Sequence, residues 1–181
     1  VRLSLASILA AALLVAACDP GTAASETGDE GAQPSALVTA SAWAAAGHEH
    51  DPFIAHRPVE VRCADAGWEV EADSLEVNTG ECHYLVVEQP LLRAIEAGAP
   101  LCVTLWHQAL YAEEPALAHA AVAIGGEVVW EREAVIPGPS NIWRDEVVAP
   151  RAFDVGERVV FHLHNHGANT WNLGSIEEVM Q

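Results

Sequence analysis

The chain has 181 residues, 51% of them hydrophobic and 19% charged, with 26 acidic side chains against 8 basic ones and a formal net charge of -18. Every basic residue is Arg, and without Lys there is neither P-loop phosphate binding nor Schiff-base chemistry. Such acidity opposes contact with a phosphate backbone, so nucleic-acid binding is excluded as well, while the length suits one domain with a real core.

Arg2 opens a short positive region, and Leu3 to Leu14 is an apolar run too short to span a bilayer comfortably. The run ends in Val15-Ala16-Ala17-Cys18. This stretch resembles the lipobox of bacterial lipoproteins: a branched apolar residue, two small residues, then Cys. The resemblance implies that residues 1–17 are a signal peptide and that the Cys18 thiol carries a diacylglycerol. It also implies a protein held by lipid on the inner or outer membrane of a bacterial envelope, facing the periplasm or the surface. Two or three acyl chains, at about 0.8 kcal/mol per buried methylene, anchor a protein stably.

Residues 18–57 follow as the lipidated Cys and a linker rich in Ala, Gly, Ser, Thr and acids. Its apolar density is too low for burial, which predicts a solvated tether. His48, His50 and His56 fall within it and form a weak metal-collecting stretch at most.

From residue 58 to the end the pattern turns to short strands. Val59 to Cys63, Trp68 to Glu71, Leu75 to Val77, Tyr84 to Val87 and Leu101 to Trp106 are the first of these, interrupted by Gly, Pro, Asn and Asp. Leu91 to Gly98 is the one helical turn expected, with Gly98 suited to a C-cap. Ala118 to Glu131 has the form of a hairpin about Gly125-Gly126, since two glycines supply the positive φ of a tight primed turn. Glu157 to Leu173 holds the longest apolar alternation. The predicted fold is all-β: an antiparallel β-sandwich of jelly-roll type over residues 58–181, with one short helix and a barrel as the alternative.

Three cysteines fall in this domain, and export places them where disulfides form. Cys63 and Cys82 flank the first strand pair and are the favoured bond, which leaves Cys102 as a buried thiol inside an apolar strand. Three pairings are open from the sequence.

The chemistry gathers at Phe161-His162-Leu163-His164-Asn165-His166-Gly167. On a strand, His162, His164 and His166 share one face at intervals of about 7 Å, so neighbouring imidazoles can converge on one ion with bonds near 2.0 Å. His107 and His119 are the natural completing ligands, with Glu113 and Glu114 in the loop between them. The donor set suits Zn or Cu. A polar outer face or a purely structural network is the other use for the same imidazoles.

Gly156, His162 and His164 resemble the opening of the first cupin motif, although Ala168 and Asn169 stand where cupins place Glu. His164-Asn165-His166-Gly167 is similar to the HxHG of multicopper oxidases. Both resemblances imply a His-lined β-sandwich and no particular activity. Trp68, Trp106 and Trp130 sit in strand patterns and belong to the core, whereas Trp143 and Trp171 lie near loops and are candidate stacking platforms for sugar rings. Three functions follow: a binding module with a His-lined metal site, an enzyme using that metal, or a module for a small molecule, glycan or protein without metal.

Overall fold

The period-two stretches become strands in the computed structural model, which describes residues 35–179. They are β1 (Ser35–Ala36), β2 (Ala44–Ala45), β3 (Trp68–Glu71), β4 (Ser74–Asn78), β5 (Tyr84–Pro90), β6 (Pro100–His107), β7 (Ala116–Ile124), β8 (Glu127–Ile136), β9 (Asn141–Val148), β10 (Arg158–His164) and β11 (Thr170–Glu178). One sheet runs β3-β4-β11-β6-β9 with β1 also on β11; the other runs β2-β5-β10-β7-β8. The eight strands from β4 onward alternate between the sheets, apart from the β7–β8 hairpin, in the order of a jelly roll. The expected sandwich and its topology are what forms. Gly125 and Gly126 take φ of 58° and 84° at the hairpin, the left-handed values its tight turn needs.

The two inner faces make one core. Leu101, Val103 and Leu105 of β6 meet Val159, Phe161 and Leu163 of β10, all fully buried, with Trp171 and Leu173 from β11. The alternate residues of β10 point outward. A second, smaller apolar cluster of Tyr84, Val86, Ala123 and Val160 lies on that outer face, with Ala46 and Val61 packed over it.

Several expectations are corrected. The tether does not extend through residue 57: Leu37 and Trp43 plug the main core, β1 and β2 each add a short strand, and residues 46–61 cross the outer face of the five-stranded sheet. Residues 1–34, with the expected signal peptide and Cys18, lie outside the described residues. No helix forms over 91–98. Leu91 and Ile95 are instead two plugs of a loop, and Ile95 exchanges both backbone hydrogen bonds with Phe153 at 2.9 Å. The i, i+4 spacing that suggested a helix is met by tertiary contacts. Helical turns are 3-10 and lie elsewhere, at Ala40–Ala42, His48–His50, Ile54–His56 and Asp65–Gly67.

Val59 to Cys63 is not a strand either: Val61 packs on the outer-face cluster, and pairing with the chain before β5 is limited to the Cys63–Cys82 bridge and the backbone bonds beside it. The Cys63–Cys82 disulfide is present. Cys102 is disulfide-bonded and not the expected thiol. Among the described residues no helix is long and apolar enough to cross a membrane.

Candidate functional site

The register decides which imidazoles meet. His164 of β10 stands directly opposite His119 of β7, and His162 lies opposite Ala121. Opposed residues on antiparallel strands have Cβ atoms about 5 Å apart. His119, His162 and His164 therefore share the outer face of the five-stranded sheet, an alternating pair on one strand completed by a third from its neighbour. The ring centroids of His119 and His162 are 5.4 Å apart.

Aromatic rings fill the space around them. Tyr84, opposite His164 on β5, meets His162 and His164 edge-on at 4.8 and 5.3 Å. Phe53, from the crossing segment, stacks on His162 and meets the edge of His119, both at 4.7 Å. His162 is 0% exposed. Ala121, its opposite number, is also fully buried although it faces outward, so the crossing segment covers the face. Glu131 on β8 places a carboxylate oxygen 3.3 Å from His119 Nε2, in position to orient that ring.

Asp51 holds the crossing segment to this face. Its carboxylate accepts a 2.5 Å hydrogen bond from the Tyr84 hydroxyl and lies 3.7 Å from Arg57. Burial, then the negative Asp51 bonded to the hydroxyl, raises the Tyr84 pKa well above that of an ordinary phenol. Tyr84 is thus a fixed donor rather than a proton-transfer group. Among the described residues, no group of three or more His, Cys, Asp and Glu side chains is disposed to hold a metal ion as the rings stand.

The other candidates part company with this face. His107 belongs to the opposite sheet and faces the core, its ring 4.4 Å from Trp171 and 5.1 Å from Trp143, so it is not a fellow ligand. His166 follows the end of β10 in an exposed loop, 4.9 Å from the His164 ring. The two expected sugar platforms face inward: Trp171 is 1% exposed, and Trp143 packs on the core, parallel to Trp171 at 6.0 Å. Trp171 presents no face to a sugar ring, and one face of Trp143 is taken by Trp171. His83, which adjoins Cys82 and comes within 6.5 Å of the His164 ring, went unnoticed in the sequence because it stands alone there.

A groove of about 1190 Å³ opens beside His166, lined by Tyr111, Glu113, Glu114, Leu117, His166 and Ala168 among others. Tyr111 is 67% exposed. The lining includes no Arg, so the groove suits neutral or cationic ligands rather than anions. Its floor is held by a buried polar network. Asn165 Nδ2 donates to Thr79 Oγ1 at 2.8 Å, and the Tyr111 amide donates to Asn169 Oδ1 at 2.7 Å. Gly167 has φ of 83°, and a Cβ there would collide with the Tyr111 carbonyl oxygen.

No family model and no curated protein sequence matches the chain. Among solved structures it is similar to CBM4, with 9% identity and a TM-score of 0.42 over 66% of this chain and 78% of that one. It is also similar to PfGH50B, with 9% identity, a TM-score of 0.40, and coverage of 68% of this chain and 22% of that one. The Agl-KA catalytic domain gives 9% identity and a TM-score of 0.38, over 83% of this chain and 28% of that one.

Proposed function

We propose that this chain is a lipid-anchored envelope protein whose β-sandwich is a binding module for a divalent transition metal, held by His119, His162 and His164. One observation supports the metal reading above the others: the register sets His119 across from His164, with His162 two residues earlier on the same face. Three imidazoles on one face suit Zn or Cu better than Ca or Mg, which take oxygen ligands. When bound, such an ion supplies a positive centre on an otherwise acidic protein. His119 and His162 supply nitrogen from two strands, and Glu131 steadies His119 from the rim.

Equilibrium dialysis of the full chain against Zn or Cu, with elemental analysis, tests this. The expected result is one ion per chain, lost in His119→Ala and in His162→Ala and retained in His107→Ala. Absence of stoichiometric uptake, or uptake unchanged in His162→Ala, overturns it.

The anchor rests on Val15-Ala16-Ala17-Cys18 and on the apolar run before it. Mass spectrometry of the N-terminal peptide from membrane-extracted protein tests it. The anchored form carries diacylglycerol on Cys18; a Cys18 without lipid sinks the anchor.

A further inference from the structure

Residues 46–62 form a strap over the imidazole face that is fastened at both ends. At the first end β2 pairs with β5 and the Ala46 amide donates to Val86 O at 3.0 Å. At the second, the Cys63–Cys82 disulfide joins the strap to the start of β5, and the His83 amide donates to Arg62 O at 3.1 Å. Between these fastenings the strap has two 3-10 turns and no ladder with the sheet. Its hold is by side chains: His50 on Glu88 at 2.7 Å, Asp51 on the Tyr84 hydroxyl, Arg57 over the Tyr84 ring at 5.1 Å, and Phe53. Segments with so few backbone bonds to their surroundings open at low cost. A loop tied at both ends can lift without leaving.

Phe53 is the side chain that matters. The Asp51 carboxylate fixes its backbone, accepting from the Phe53 amide at 2.8 Å. Its ring is equidistant, at 4.7 Å, from His119 and His162, and the three rings close a triangle. Imidazoles that ligate one ion must turn their nitrogens to a common point about 2 Å away. With the Phe53 ring wedged against both, they pack as an aromatic cluster instead.

We propose that Phe53 is the plug of a two-state strap: seated, it holds His119 and His162 apart from a common ligand point; withdrawn, it frees them to converge with His164 on a divalent transition metal. Metal entry and strap opening are then one event, and the apparent affinity is the intrinsic one scaled by the fraction of open strap. This rests on the metal reading given above. It explains why the site is capped by an aromatic residue from a distant stretch of chain rather than left to water.

The test is Co(II) titration of the full chain, followed by the visible absorption band of the bound ion, in wild type, Phe53→Ala, Phe53→Leu and Phe53→Ala/His119→Ala. An open fraction below about one tenth predicts that Phe53→Ala binds at least about tenfold tighter than wild type, with Phe53→Leu between them. The double variant loses the band. Hydrogen exchange adds a readout independent of affinity: on Co(II) addition to wild type, the amides of Phe53 and Arg57 lose protection. Equal affinity in wild type and Phe53→Ala, with the band lost in the double variant, overturns the plug and leaves the metal site standing. No Co(II) band in any of the four proteins overturns the metal site and the plug with it. Near-ultraviolet circular dichroism of Phe53→Leu verifies that the sandwich is intact.

Discussion

Replacing Asn165 with Ala is expected to lower the unfolding free energy by about 2–4 kcal/mol, far more than its single amide suggests. Asn165 is fully buried where β10 turns toward β11, and its two amide atoms serve four partners. Nδ2 donates to Thr79 Oγ1, to His166 O at 2.9 Å and to Gly167 O at 3.2 Å, while Oδ1 accepts from the Trp171 indole at 3.1 Å. Some of these partners have substitutes. His166 O also accepts from Asn169 Nδ2, and Gly167 O accepts from Thr79 Oγ1. The Trp171 N–H has no other hydrogen-bond acceptor among the described residues, and a buried indole donor left unmade dominates the cost. Asn165→Asp keeps an acceptor for the indole but places a carboxylate in the interior, so it should be no better. Urea unfolding followed by Trp fluorescence measures both. A loss below about 1 kcal/mol for Asn165→Ala would mean that water replaces the amide, and the network would not be what shapes the loop.

The sandwich was legible in the sequence because its strands are apolar runs rich in β-branched and aromatic residues, divided by turn residues. Val159 to Leu163, buried on both faces, keeps His162 as its one polar residue, and Gly125-Gly126 admits little except a tight turn. The Cys63–Cys82 bond was legible for a related reason, since flanking a strand pair brings two residues together. Contacts made by isolated residues were not legible. Leu37 and Trp43 each bury one side chain amid Ala, Ser and Thr, and Phe53 packs alone from a polar stretch, so neither composition nor period distinguishes them from a tether. Two-residue strands such as β1 and β2 have no periodicity to detect.

The imidazole face was half legible. Alternation alone puts His162 and His164 on one face, but their meeting with His119 depends on β7 lying beside β10, a pairing across some forty residues of chain that only the topology settles. The same limit misplaced His107, whose strand pairs with β11 and turns its ring into the core. Trp143 and Trp171 went astray in the same way, because loop proximity in sequence says nothing about which side of the sheet a residue faces.

His107 should make the fold sensitive to acid. The residue is 4% exposed, with its ring between Trp143 and Trp171, and Nδ1 donates to Gln108 O at 2.6 Å while Nε2 is buried with no hydrogen-bond partner among the described residues. Burial lowers its pKa below the ordinary imidazole value, only partly opposed by the Gln108 carbonyl. The sign follows from proton uptake. Below about pH 6.5 the unfolded chain binds a proton at this residue, whereas the folded chain resists it until lower pH. The unfolded state therefore gains on the folded one as pH falls from about 6.5 toward the depressed folded pKa, and the full contribution is present only above that window. In His107→Gln, whose side chain does not titrate, this component disappears. Urea midpoints for both proteins between pH 8 and pH 5 should differ by a constant amount at the alkaline end. As the pH drops through the window the wild type should lose ground relative to the variant, with each unit of depression corresponding to about 1.4 kcal/mol once fully expressed. A difference that stays flat across the whole range would show that the imidazole between the two indoles takes up its proton as readily in the folded chain as in the unfolded one.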